Sequence, residues 1–273
     1  MPRPNTQKGF TLVELAIVMT IIGLLIGGIL KGQELMENAR VTATVAQIKS
    51  YEAAMTSFKD MYQSVPGDML NAGTRLQGCP TVNACNATTT NATTGDGIVG
   101  LATWSTVFGA PGVTVTAAGP LAVDGEKYLF WSHLLLANLI GGVTTDGLRT
   151  AGTAFSFNVT HPAAKIGGGL IVGYQTGVNE PGSLNAVAAQ GLSGTVLTIV
   201  MNPILALSVV AGALPLSPLR AAMIDRKMDD GRPSTGFTHG YGVGASCFTA
   251  AATLQYNEAL ATKSCGLMWR IEG

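Results

Sequence analysis

Charge is scarce in this chain. Only 16 basic and 16 acidic residues occur in 273, the formal net charge is zero, and charged residues make up 12%. No basic stripe exists to follow a phosphate backbone, so nucleic-acid binding has no support. Histidine is scarcer still. His133, His161 and His239 stand far apart, at no metal-ligand spacing. His133 sits in an apolar stretch and reads as a satisfied, partly buried side chain. There is no P-loop and no Cys-x-x-Cys pair. Gly191-Leu192-Ser193-Gly194 is not a nucleophile elbow. Gly240-Tyr241-Gly242-Val243-Gly244 is a fragment of a dinucleotide loop with no strand-helix frame around it. No catalytic constellation is present, and an enzyme is not expected.

Proline is missing from a long stretch, between Pro4 and Pro66, and charge is nearly missing from part of it. From Phe10 to Leu30 there are twenty-one residues, and Glu14 alone is charged. As a helix this run is long enough for a hydrocarbon core of about 30 Å. A carboxylate within such a run costs about 2.5–3.5 kcal/mol on insertion scales, which marks Glu14 as functional. Met1 to Gly9 is polar, with Arg3 and Lys8. Those basic residues place the start of the chain on the cytoplasmic side. After Leu30 comes Lys31-Gly32-Gln33-Glu34, which is no signal-peptidase site, so the apolar run stays on the mature chain. Gly23, Gly27, Gly28 and Gly32 offer close approach to other helices.

Lys8-Gly9 followed by Phe10-Thr11-Leu12-Val13-Glu14 resembles the processing site of type IV pilins and type II secretion pseudopilins. The resemblance implies a leader of residues 1–9, cut after Gly9 by prepilin peptidase. It implies that Phe10 becomes an N-methylated amino terminus and that Glu14 helps to dock the subunit during assembly. Its implied partners are other pilin subunits, the peptidase, an inner-membrane assembly platform and membrane lipid. Its implied location is the inner membrane as a single-pass precursor, then a periplasmic pseudopilus or a surface pilus. Major pilins often carry a proline near the end of the apolar run. Lys31 stands about there instead.

Beyond the span, Leu35, Ala39, Val41, Val45, Ile48, Tyr51, Met55, Phe58 and Met61 or Tyr62 recur at spacings of three and four. This is one face of an amphipathic helix. Pro66-Gly67 is expected to stop it near Ser64. The expected organisation is leader 1–9, membrane or filament-core helix 10–30, amphipathic continuation 31–64 and outer globular domain 65–273. The fold class is α+β: a long N-terminal helix packed on an antiparallel sheet.

In the outer domain, residues 126–140 suit a helix ended by Gly141-Gly142, and Ser217-Pro218 opens a helix to Met228 that Asp229-Asp230-Gly231 ends. Ala154–Thr160, Gly169–Gln175 and Val196–Met201 read as strands. All four cysteines follow the span, as an oxidising compartment allows. Cys79 is expected to pair with Cys85, and Cys247 with Cys265, although four cysteines permit three connectivities. Asn86 to Thr94 reads as a polar loop tip, and the sequons at Asn86, Asn91 and Asn158 read as loop composition.

Asp225 and Asp229 are four apart on a helix face, with Asp230 beside the turn. Hard oxygen ligands of this kind suit calcium, while Arg226 and Lys227 partly neutralise the site. No other cofactor is expected. The resulting expectation is a structural subunit of a type IV pilus-type filament, a pilin or minor pilin. A type II secretion pseudopilin is the near alternative, and a tip adhesin is the alternative of another class. Three Trp and eight Phe give little aromatic surface for the adhesin.

Overall fold

The computed structural model describes residues 9, 11–79, 85–86, 95–100, 125–144, 156–176, 192–201, 212, 214–242, 244–249 and 254–271. The leader residues 1–8, Phe10 and the sequon residue Asn91 lie outside them. The chain divides into two compact units, residues up to Arg40 and residues from Val41 onward.

One helix, α1 (Leu12–Tyr62), contributes to both units. It is long because nothing stops it: no proline occurs, and its glycines sit singly or in one pair within an apolar run. It ends before Pro66. Gln63 takes a left-handed φ of 53° and donates its N–H to Lys59 O at 2.8 Å, which caps the last turn. In the first unit, every residue from Thr11 to Met36 is exposed. Leu35, expected on the packed face, is among them.

In the second unit the face of α1 that packs is Val41, Thr44, Ile48, Tyr51, Ala54, Met55 and Phe58. Met61, named in the sequence as a possible face residue, is exposed, and Tyr62 packs partly against the core. The 12-residue helix α3 (Gly125–Leu136) follows the short α2 (Ala72–Arg75) and adds Phe130, Trp131 and Leu134. Tyr51 and Trp131 meet edge to face with centroids 5.1 Å apart. α3 stops earlier than its apolar pattern suggests. Asn138 adopts φ 58°, and Ala137 to Leu139 turn back on the last carbonyls before Gly141 is reached.

The sheet has four antiparallel strands in the order β1 (Gly169–Thr176), β2 (Ser193–Val200), β6 (Cys265–Arg270), β3 (Thr238–Gly242). The last strand in sequence is therefore central. Leu197, Trp269 and Thr238 lie in register across it. Leu170, Val172, Leu197, Ile199, Leu267 and Trp269 join the α1 residues in the main core. The opposite face is buried too, by Val196, Met268 and Tyr241 with Leu192 and Leu214. Helix α4 (Pro218–Met228) and the short α5 (Gly244–Cys247) lie between β2 and β6 in sequence, with a two-stranded ribbon of β4 (Phe248–Thr249) and β5 (Gln255–Tyr256).

One expected strand is corrected. The described part of Ala154–Thr160 is a turn, with only an isolated bridge between Phe157 and His161. Thr160 Oγ1 bonds to both the N–H and the carbonyl of Ser156, and Asn158 is left-handed at φ 67°. Those local bonds win over the strand propensity of Phe and Val. The Gly240–Gly244 stretch, a fragment of a dinucleotide loop by sequence, instead contributes to β3. Its glycines give room: a Cβ on Gly240 would press on Phe248, Pro233 and Tyr256.

Candidate functional site

The first turn of α1 carries a reciprocal cap. Thr11 stands just before the helix, and Glu14 is its third residue. Glu14 N–H donates to Thr11 Oγ1 at 3.3 Å. Glu14 Oε2 accepts from Thr11 N–H at 2.9 Å and from its hydroxyl at 2.8 Å. This is the capping-box pattern, and it satisfies two of the orphan donors at a helix start. A negative side chain here also faces the positive end of the helix dipole. Gly9 is exposed, and among the described residues no atom lies within 4 Å of where its Cβ would stand. The sequence signal for the cap, Thr-x-x-Glu, is present, but reading Glu14 only as a docking acid passes over it.

α1 is the one candidate membrane span among the described residues, by length and composition. Leu12 and Leu24 are 87% and 79% exposed. Helix continues unbroken through Gly27-Gly28, Lys31 and Gly32. Lys31 pairs with Glu34 at 2.7 Å instead of bending the rod. A Cβ at Gly23, Gly27, Gly28 or Gly32 would touch nothing.

The four cysteines form two bridges, Cys79–Cys85 and Cys247–Cys265, with Cα atoms 6.1 and 5.3 Å apart. The first is tied to α3 through His133, which is wholly buried. His133 Nδ1 accepts the Gly67 N–H at 2.9 Å, and Nε2 lies 2.8 Å from Cys85 O. An acceptor at Nδ1 and a carbonyl at Nε2 fix the neutral tautomer with the proton on Nε2. Burial pushes its pKa down to about 4. The same junction buries Asp68, which accepts from Gly95 N–H and from Gly97 N–H at 2.7 Å. Desolvation nonetheless raises the Asp68 pKa.

At the end of α4 the fold brings Asp225, Asp229 and Asp230 together, with one carboxylate oxygen of each within 4.8 Å of the others. Asp225 is buried, Asp229 half-buried and Asp230 exposed. Asp225 Oδ2 accepts the Tyr256 hydroxyl at 2.8 Å. Asp229 Oδ2 accepts the Phe237 and Thr238 N–H groups at 2.5 and 3.1 Å. Asp230 accepts the Arg232 N–H at 2.8 Å and the Thr235 hydroxyl. Burial first, then the neighbouring acids, pushes the Asp225 pKa up to about 7. Arg226 pairs with Glu258 while staying within electrostatic reach of Asp225, Lys227 donates to Thr42 at 2.7 Å, and the Gly231 N–H also serves the Asp225 carboxylate.

Residues 4–30 match the family model for the prokaryotic N-terminal methylation motif. No curated protein and no solved structure matches the chain. The matched segment contains Gly9, the Thr11–Glu14 cap and the whole apolar run to Leu30. The chain therefore carries the prepilin-type signal of type IV pilins and pseudopilins.

Proposed function

We propose that this chain is a structural subunit, a pilin or minor pilin, of a type IV pilus-type filament. Prepilin peptidase cleaves it after Gly9, and Phe10 becomes the methylated amino terminus. The observation that carries the reading is the methylation motif lying on an exposed apolar helix. That surface has two places to go, lipid before assembly and the helices of other subunits after it. Hydrocarbon replaces hydrocarbon in the exchange, so packing and polar contacts decide it.

Glu14 supplies a polar contact. Its second carboxylate oxygen, Oε1, takes no part in the cap. The cleaved amino terminus of a neighbouring subunit is a cation that keeps its charge when methylated. Unit charges ~4 Å apart gain on the order of 4 kcal/mol at an effective dielectric of 20, before desolvation.

The test is mass spectrometry on sheared surface filaments and on membranes from the same cells. The expected result is a mature peptide beginning at methylated Phe10 in the filament fraction. Replacing Gly9 with a bulky residue leaves full-length chain in the membrane. Finding only uncleaved chain, in membranes alone, would overturn the proposal.

A further inference from the structure

We propose that Cys79–Cys85 is a redox-sensitive clasp on the exit of α1, opened by a dithiol reductant that attacks Cys79, while Cys247–Cys265 stays closed. The first observation is unequal burial. Cys85, Cys247 and Cys265 are fully buried, and Cys79 alone of the four is only half-buried. Thiol–disulfide exchange requires a thiolate to reach one of the two sulfurs, so access decides which bridge reacts and from which side.

The second is placement. Cys265 opens β6, the strand between β2 and β3, and lies in register with Gly242 of β3. Its N–H and its carbonyl both bond to Leu216. Reaching that bridge means opening the sheet. Cys79 follows Gly78 and stands outside the described helices and strands. A bridge so placed can open by a local motion, without global unfolding.

The third is what the clasp holds. Cys85 O lies 2.8 Å from His133 Nε2, and His133 Nδ1 accepts the Gly67 N–H at 2.9 Å. The same imidazole stacks on Phe58, with centroids 6.0 Å apart and 11° between the planes. Phe58 is the last buried residue of α1, and Gly67 belongs to the turn that follows the helix. Contacts therefore run from the clasp, through His133 of α3, to the end of the long helix.

The chemistry is a two-electron exchange. One thiolate of the dithiol bonds to Cys79 Sγ, the Cys79–Cys85 bond breaks, and Cys85 leaves with the electron pair and takes a proton from water. The second thiolate of the reductant attacks its own sulfur in the mixed disulfide and releases Cys79, which is protonated in turn. The protein bridge is reduced to two thiols, and the dithiol is oxidised to a cyclic disulfide. The segment at Cys85 is then left to its hydrogen bonds, from His133 to Cys85 O and from the Gly73 N–H to Asn86 Oδ1 at 2.8 Å. The turn after α1 loosens with it.

The experiment uses the full chain, folded in detergent, with millimolar dithiothreitol as the dithiol and iodoacetamide as the trap. Peptide mapping is expected to find Cys79 and Cys85 alkylated while Cys247 and Cys265 remain joined, with rates differing by roughly tenfold or more. Single variants give the side of attack. The Cys79 thiol of Cys85→Ser should react with iodoacetamide roughly tenfold faster than the Cys85 thiol of Cys79→Ser. Hydrogen exchange reads the consequence: reduction should speed exchange in the peptide carrying Gly67 and leave β6 protected. A bridge with no hold on α1 would reduce selectively yet leave exchange at Gly67 unchanged, and that result overturns the clasp. Reduction of both bridges at one rate, of neither without denaturant, or equal reactivity of the two single variants overturns it as well. If the single variants do not fold, mapping and exchange on the wild type carry the test.

Discussion

Thr11 and Glu14 hold each other across the first turn of α1, the hydroxyl accepting the Glu14 N–H while the carboxylate takes the Thr11 N–H. An acid stranded in an apolar helix is thus partly satisfied by its own chain. Under the proposed function Glu14 has two separable tasks, capping its own helix, which the structure shows, and presenting charge to a neighbour.

Glu14→Gln separates them. Glutamine retains the capping box but has no charge. Thr11→Ala does the reverse, at about 0.5–2 kcal/mol of helix stability. If charge drives docking, Glu14→Gln inserts in the membrane, is cleaved, and enters filaments as poorly as Glu14→Ala, while Thr11→Ala is milder. Glu14→Asp should be intermediate. Quantified filaments beside membrane fractions give the answer, and wild-type assembly by Glu14→Gln would remove charge from the account.

His133 predicts an acid weakness. Its folded pKa is about 4, against 6.5 for a free histidine. Between those values the unfolded chain binds the proton and the folded chain does not. Stability is therefore complete above pH 6.5 and is lost as pH falls toward 4, by roughly 3 kcal/mol for this group. His133→Gln can offer an acceptor to Gly67 and a donor to Cys85 without titrating. Denaturant melts at pH 7 and 4.5 should show a smaller acid loss for His133→Gln. His161, also held near 4 by burial, is common to both chains and cancels. Equal acid losses would discard the assignment.

Gly67 predicts a backbone cost. At φ 93° a Cβ would strike the Glu126 carbonyl oxygen and crowd Phe130 N. Gly142 has a similar φ of 84° with open space around it. Gly67→Ala should cost well over the ~1 kcal/mol typical of alanine at positive φ, and Gly142→Ala about that amount. Melting temperatures compare them directly. Matching losses would mean that the approach to α3 is not tight.

The two disulfides should differ in weight. They close loops of sequence separation 6 and 18. In the chain-entropy model these are worth about 2 and about 3 kcal/mol. Removing Cys247–Cys265 should lower the melting point more than removing Cys79–Cys85, with membrane insertion unchanged in both. The reverse order would point to a native-state role for the smaller loop, through Cys85 and His133.

The long helix was legible because one property, unbroken apolarity without proline, fixes it. The central strand β6 was not. Cys-Gly-Leu-Met-Trp-Arg has no polar alternation, since both faces of the sheet are covered and a strand buried on both sides shows no period of two. β3, Thr-His-Gly-Tyr-Gly, hides for another reason: glycine is poor strand material, yet Gly240 is needed where Phe248 and Tyr256 press close. At the candidate sites, Asp225, Asp229 and Asp230 were found by spacing alone. The routes taken by Arg226 and Lys227 depend on Glu258 and Thr42, which lie 32 and 185 residues away, and no local pattern contains them.

The ion pairs along α1 bear on what happens when one surface is copied many times. Lys31–Glu34, Arg40–Glu37 and Lys49–Glu52 each close within three residues of the same helix, at 2.7, 3.7 and 2.8 Å. Singly, such exposed pairs add little stability. Repetition changes their importance, because an unmatched charge recurs in every copy and its field accumulates along the stack. A charge cancelled within its own turn adds only a short-range dipole, which salt water screens within about 8 Å. Copies of the 31–52 stretch of this helix, where every charge has its opposite within three residues, can lie side by side without building a potential, whatever their rotation or stagger.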